Sequence, residues 1–106
     1  MNKFYSLNIT EINTLTSDSV EIKFEIPSDI SEKFKFKAGQ YITIKHNING
    51  EEIRRSYSLC SDPNTNEIAV GVKRVEGGKM STFLTKEIKI GDTLEVMPPI
   101  GNFIFE

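Results

Sequence analysis

Val20-Glu21-Ile22-Lys23-Phe24-Glu25-Ile26 alternates apolar and charged residues without a break. Successive side chains on a strand point to opposite faces. A period of two therefore gathers Val20, Ile22, Phe24 and Ile26 on one face and leaves Glu21, Lys23 and Glu25 on the other. Upstream, Tyr5, Leu7 and Ile9 alternate with Ser6, Asn8 and Thr10, and the run reaches Ile12. Between the two runs, Thr16-Ser17-Asp18-Ser19 is turn chemistry, rich in side chains that hydrogen-bond their own backbone. The pair reads as an antiparallel hairpin with one wet face.

Downstream, Pro27 ends the second strand and residues 28–38 read as an irregular connection. Tyr41-Ile42-Thr43-Ile44-Lys45 is a third strand, and Ile53 to Leu59 a fourth. Asn49-Gly50 between them is a hairpin turn signal, because both residues tolerate positive φ. Asp62-Pro63-Asn64-Thr65-Asn66 is a loop, and Ile68, Val70 and Val72 mark a fifth strand. Gly77-Gly78 breaks the pattern. Met80, Phe83 and Leu84 then fall at i, i+3 and i+4, predicting a helix over Met80 to Glu87 that Ser81 or Thr82 could cap. Gly91-Asp92 is a turn, and Thr93 to Met97 a last strand, stopped by Pro98-Pro99. The expected class is all-β: a six-stranded antiparallel Greek-key barrel with one short helix. Strand number alone fits an open sandwich equally well.

The chain has 106 residues, room for one domain. With 13 Lys plus Arg against 15 Asp plus Glu, net charge is −2, and no basic field exists to hold a nucleic acid. No apolar run approaches the ~20 residues that span a bilayer. Nor does Met1-Asn2-Lys3-Phe4-Tyr5 open an apolar signal segment. Cys60 is the single cysteine, which excludes an internal disulfide, a Cys-rich zinc site and a cysteine-ligated iron–sulfur cluster. The expected compartment is the cytoplasm. Ile100 to Glu106 carries apolar residues with nothing after them, which suggests a domain cut from a longer protein; the other reading is a C-terminal edge strand that packs on its own barrel.

Two segments could carry chemistry. Arg54-Arg55-Ser56-Tyr57-Ser58-Leu59 puts cations, a ring and hydroxyls at a strand end. A guanidinium grips phosphate oxygens bidentately, and a tyrosine face stacks on a planar ring. By periodicity alone an edge strand with solvated arginines reads the same. Gly77-Gly78-Lys79-Met80-Ser81 is the second segment. Glycines before a helix let backbone N–H groups approach an anion, which the helix dipole favours. It is not a dinucleotide fingerprint, since no G-x-G-x-x-G follows a strand. His46 and Glu51-Glu52 read as surface residues. Lys33, Lys35 and Lys37 also read as a solvated face, though one able to steer an acidic partner, with Glu32 weakening that field. Cys60 reads as a small hydrophobe.

Arg55-Ser56-Tyr57-Ser58 matches R-x-Y-S, and Gly78-Lys79-Met80-Ser81 matches G-x-x-S. Ala38-Gly39-Gln40-Tyr41 leads into the third strand, and Pro99-Ile100-Gly101-Asn102-Phe103 matches P-x-G-x-F. In these motifs and their order the sequence resembles the flavin-binding domain of the ferredoxin–NADP+ reductase superfamily. The resemblance is to the flavodoxin/ferredoxin reductase type, which includes the reductase component of phenylacetyl-CoA oxygenase systems. It covers nearly the whole chain.

The resemblance implies an FAD-binding domain spanning residues 1–106. Arg55 would pair with the diphosphate, Tyr57 would stack on the flavin ring, and Ser58 would sit near the flavin N5, where hydride arrives. Ser56 belongs to the same motif. Val72, Lys73 and Arg74 would offer backbone groups to the flavin and its ribityl chain. Gly78, Lys79, Met80 and Ser81 would hold the diphosphate through backbone N–H groups and the Ser81 hydroxyl. FAD is implied over FMN, because a diphosphate uses both Arg55 and the helix start. No metal site is implied. The NAD(P)H-binding domain of the parent protein, absent here, would supply the nicotinamide site, and an iron–sulfur protein or flavodoxin would accept electrons. The implied activity is that of an NAD(P)H-dependent oxidoreductase, with the isolated domain inactive toward NAD(P)H. Two other readings stand beside it: a cofactor-free barrel used for binding, and a flavin-holding electron-transfer protein without a nicotinamide site.

Overall fold

Val20, Ile22 and Phe24 are buried, while Glu21, Lys23 and Glu25 stay at least partly exposed, as their alternation requires. The structure is a computed structural model and describes residues 3–37, 39–61 and 67–100. Its strands are β1 (Tyr5–Thr16), β2 (Ser19–Glu25), β3 (Tyr41–Ile48), β4 (Glu51–Ser58), β5 (Glu67–Lys73) and β6 (Thr93–Ile100). Helix α1 (Lys79–Lys86) lies between β5 and β6.

β1 and β2 form the expected hairpin, with Ile9 opposite Phe24 and Ile12 opposite Ile22. β3 and β4 form the second hairpin. Asn49 and Gly50 turn it with φ of 54° and 86°, the left-handed values that this dipeptide adopts readily. β6 returns between β1 and β3, and β5 pairs with the outer side of β2. The six-stranded sheet runs β4-β3-β6-β1-β2-β5, a Greek-key order with every pair antiparallel. Its two ends meet at one isolated bridge, Leu59 opposite Val70, beside which the Cys60 N–H donates to the Ala69 carbonyl at 2.9 Å. Among the described residues no ladder joins β4 itself to β5. The molecule is therefore a rolled, barrel-like sheet pinned at one point along its seam.

Inside lie Leu7, Ile9, Ile22, Phe24, Ile42, Ile44, Val70, Val72, Leu94 and Val96, supplied by alternate positions of five strands. Met80 and Leu84, one turn apart on α1, are buried with them. The helix thus caps the seam that the sheet leaves open, packing on β3, β4 and β5.

Several local expectations need correction. β6 does not stop at Pro98-Pro99 but runs to Ile100. Thr43 pairs with Met97 and Tyr41 with Ile100, so the partner strand is bulged there and both prolines sit in the irregular stretch. A bulge is where a strand tolerates residues without an N–H. Residues 28–38 are not wholly irregular, because Ser28–Phe34 forms 3-10 turns. Phe34 is buried, its ring edge-on to Tyr5 at 5.9 Å. α1 begins one residue earlier than the periodicity suggests, and Gly78, not Ser81 or Thr82, occupies its N-cap position. His46 is not a free surface group but stacks on Phe83 of α1, with ring centroids 4.4 Å apart and planes 14° from parallel. Ala38, the loop at 62–66, and Gly101 to Phe103 lie outside the described residues. No helix among the described residues is long and apolar enough to cross a membrane.

Candidate functional site

The seam between β4 and β5 holds a cleft of about 260 Å³. Arg55, Ser56 and Tyr57 of β4 line one wall, and Lys73 at the end of β5 lines another. Val75, Gly78, Lys79, Met80 and Ser81 close the cleft from the helix side. A second, more polar cleft of about 460 Å³ adjoins it, between Glu51–Arg55 and Gly77–Lys79. Arg55, Gly78 and Lys79 line both.

β4 pairs with β3 so that Ile44 faces Arg55 and Ile42 faces Tyr57. Because Ile42 and Ile44 point into the core, Arg55 and Tyr57 share that face and meet the cleft where the sheet is open. Tyr57 is half-buried, and burial pushes its phenol above the ordinary tyrosine value, against the opposing pull of Arg55. The Arg55 guanidinium is exposed and donates one hydrogen bond, from Nη1 to the Arg54 carbonyl at 2.7 Å. Its fork has five donors, so most of its capacity remains.

Across the seam the sequence 74–78 makes a tight turn into α1. Gly77 has φ 79°, a conformation costly for other residues. The Gly78 N–H donates to the Val75 carbonyl at 2.8 Å. The first intrahelical bond runs from Thr82 N–H to the Gly78 carbonyl, at 3.1 Å. The N–H groups of Lys79, Met80 and Ser81 precede it and have no partner within the helix. A Cβ on Gly78 would stand 2.8 Å from Ser81 Oγ and 3.1 Å from the Val75 carbonyl, so this turn accepts only glycine without adjustment. A cation fork, a half-buried tyrosine ring lining the cleft and the free N–H groups of this helix start are the donor set that a flavin with a diphosphate tail needs, and the residues fit that group. Among the described residues no cluster of His, Cys, Asp and Glu could hold a metal.

Arg55, Ser56, Tyr57, Lys73, Gly78, Lys79, Met80 and Ser81 thus converge as expected from the sequence. Three expected residues do not line the cleft. Val72 is buried in the core, leaving only its backbone for a ligand. Arg74 engages its N–H with the Asp18 carbonyl at 2.7 Å. Ser58 lies at the end of β4, opposite Tyr41 and on the other face from Tyr57. The Ser56 hydroxyl also turns away, to Thr43 Oγ1 at 3.1 Å, so Ser56 meets the cleft by its backbone. Ser81 is nearly buried. Its hydroxyl accepts from the Val75 N–H at 2.9 Å and so ties the turn together. Ser81→Ala is expected to lower stability by about 1 kcal/mol through loss of that bond. Urea denaturation checks this.

Sequence reasoning missed Val75, the one apolar side chain between Arg74 and Gly77; it is 61% exposed at the mouth of the cleft. An isolated valine in a polar turn was the available signal. Glu51 is solvated as expected, and what sequence reasoning did not see is that its carboxylate also reaches Lys79 Nζ at 2.6 Å. Cys60 lies away from the cleft, toward Glu21, and burial together with that carboxylate raises its thiol above the usual range.

The family model described as "Oxidoreductase FAD-binding domain" matches residues 6–105. One component of the 1,2-phenylacetyl-CoA epoxidase of Escherichia coli (strain K12) is 41% identical over 106 residues, covering 100% of this chain and 30% of that protein. A flavohemoprotein from Pseudomonas putida (strain KT2440) is 46% identical over 77 residues, 73% of this chain and 20% of that protein. The chain therefore spans less than a third of the length of either relative. Among solved structures, a flavohemoglobin from Malassezia yamatoensis with bound FAD and heme superposes with a TM-score of 0.83 at 24% identity, over 95% of this chain and 26% of that one. With the family model matched across almost all of its length, the chain belongs to the oxidoreductase FAD-binding domain family.

Proposed function

We propose that residues 1–106 form the FAD-holding domain of an NAD(P)H-dependent flavoprotein reductase. The observation that carries this reading is the convergence of Arg55 and Tyr57 with the Gly78–Ser81 turn on one cleft, at a seam that among the described residues is pinned by one isolated bridge and closed by no ladder. FAD, when bound, supplies the hydride and single-electron chemistry, and the protein supplies position and electrostatics.

Each residue then has a stated task. The Tyr57 ring covers one face of the flavin and excludes water from it. The phenol is neutral at ordinary pH, and burial raises its pKa further, so no negative charge faces the ring. Arg55 and the N–H groups of Lys79 and Met80 hold the diphosphate. Lys73 borders the cleft between them as a further cation. Along β4 the chain runs from Arg55 to Ser58, three residues or about 10 Å of strand. With phosphate held at Arg55, Ser58 falls level with the redox-active end of the ring, which we assign to its backbone because its side chain lies on the face away from Tyr57.

The remaining parts of this reading concern the parent protein. A second domain provides the nicotinamide site. The acceptor is an iron–sulfur protein or flavodoxin serving an oxygenase, in line with a relative from Rhodococcus rhodochrous described as the ferredoxin reductase component of a 3-ketosteroid-9-alpha-monooxygenase. An exposed, unpaired Cys60 suits the reducing cytoplasm. The site's composition favours this over a cofactor-free barrel, which would have no use for a glycine-only turn facing an arginine and a tyrosine.

Tyr57→Ala tests the ring platform. Aromatic stacking on a base is worth about 1–3 kcal/mol, so FAD affinity should fall roughly 5- to 150-fold, with a smaller quench of flavin fluorescence on binding. Tyr57→Phe keeps the ring and should retain both. Equal affinity in Tyr57→Ala and the parent chain would place the flavin elsewhere.

A further inference from the structure

Glu51 opens β4 and Lys79 opens α1, and their side chains meet across the mouth of the two clefts at 2.6 Å. The pair is open to solvent, with Lys79 57% and Glu51 60% exposed. Ion pairs so exposed add little to folding stability, so fold maintenance does not explain it. Its position does. Lys79 lines both clefts, Glu51 lines the outer one, and Arg55 lies between them. A lysine at a helix start sits against the positive end of the helix dipole, and here it also neighbours Arg55. Such a cation gains most from an anion close by. In the chain as it stands that anion is the Glu51 carboxylate.

We propose that Glu51 is a resident counter-anion of the phosphate site, which occupies Lys79 until a ligand's diphosphate displaces it. The inference rests on reading the clefts as a phosphate-binding site. The carboxylate stays charged, since Lys79, and less strongly Arg55, hold it below the usual carboxylate range. It consequently opposes every anion that enters. A single weakly held phosphate gains little over the carboxylate already present. A ligand anchored by its ring on Tyr57 as well can displace it. Glu51 thereby raises the threshold for every anion alike: small free anions bind the cradle weakly, and a diphosphate joined to a flavin binds through its further anchorage at Tyr57.

The test compares the unaltered chain with Glu51→Gln, a near-isosteric surface change, using FAD, riboflavin and inorganic pyrophosphate as separate probes in calorimetric titrations. Glu51→Gln should bind pyrophosphate and FAD each about 3- to 10-fold more tightly, as expected for removing one competing charge near an exposed site. Riboflavin, which carries no phosphate, should be unaffected. Glu51→Ala should shift the same way, excluding a special effect of the amide. Unchanged or weaker pyrophosphate binding in Glu51→Gln overturns the proposal, and weaker binding would make Glu51 a support that aims Lys79. Tighter pyrophosphate binding with no FAD binding by either form upholds Glu51 and removes the FAD reading instead.

Discussion

Leu84→Ala is expected to lower the free energy of unfolding by about 2–5 kcal/mol and to weaken FAD binding with it. Leu84 is fully buried, and with Met80 it fixes α1 over the seam of the sheet. The cost combines lost apolar burial with the cavity left where the side chain stood. A domain of this size has only about 5–15 kcal/mol to lose. The remaining attachments of α1 to the strands are weaker: a half-buried Phe83 stacked on His46, and the exposed Lys79–Glu51 pair. Without its anchor the helix start, and the N–H groups it presents, lose their fixed position opposite Arg55. Equilibrium urea denaturation gives the stability change, and an FAD titration under native conditions gives the binding change. A loss below about 1 kcal/mol, well under the range for a buried leucine, would show that α1 is not held as described.

Arg55→Ala should leave stability nearly unchanged and reduce FAD affinity roughly 10- to 150-fold, the span set by charge-assisted hydrogen bonds. Among the described residues the exposed guanidinium makes a single hydrogen bond, to its neighbour's carbonyl. Exposed substitutions of this kind usually shift stability by no more than about 0.5 kcal/mol. Hydrogen bonds to charged groups contribute about 1.5–3 kcal/mol, which gives the stated range. Arg55→Lys should fall in between, because it keeps the charge and loses the planar fork. Riboflavin affinity should barely respond to either change. A parallel loss for riboflavin and FAD would mean that Arg55 supports the ring pocket and not the phosphates.

The features legible in the sequence were those whose physics is local. Alternation at residues 20–26 fixed which side chains enter the core, and Asn49-Gly50 announced its own turn through the φ values that these residues tolerate. Arg55 and Tyr57 were readable as a pair because residues two apart on a strand share a face. What stayed hidden depends on distant partners. β6 continues through Pro98-Pro99 by carrying one extra residue opposite β3, and nothing in residues 93–100 states how β3 pairs with them. Ser81 looked like a phosphate ligand or a cap; Gly78 holds the cap position, and the turn that brings Val75 above Ser81 adds a backbone N–H donor to its hydroxyl, a contact that its own sequence does not announce. Glu51 and Lys79 are 28 positions apart, and their contact follows only from how α1 docks on the seam. That docking also decides that two short motifs, ambiguous when read separately, share one cleft.

The most direct measurement is a titration of FAD into the purified chain, followed by flavin fluorescence and by the visible spectrum retained after desalting, with riboflavin in parallel. The expected result is a saturable quench, with FAD bound at least about tenfold more tightly than riboflavin because of its charge-assisted contacts at Arg55 and the helix start. No saturable change with FAD, or equal affinity for FAD and riboflavin, would contradict a cleft built to hold a flavin by its diphosphate.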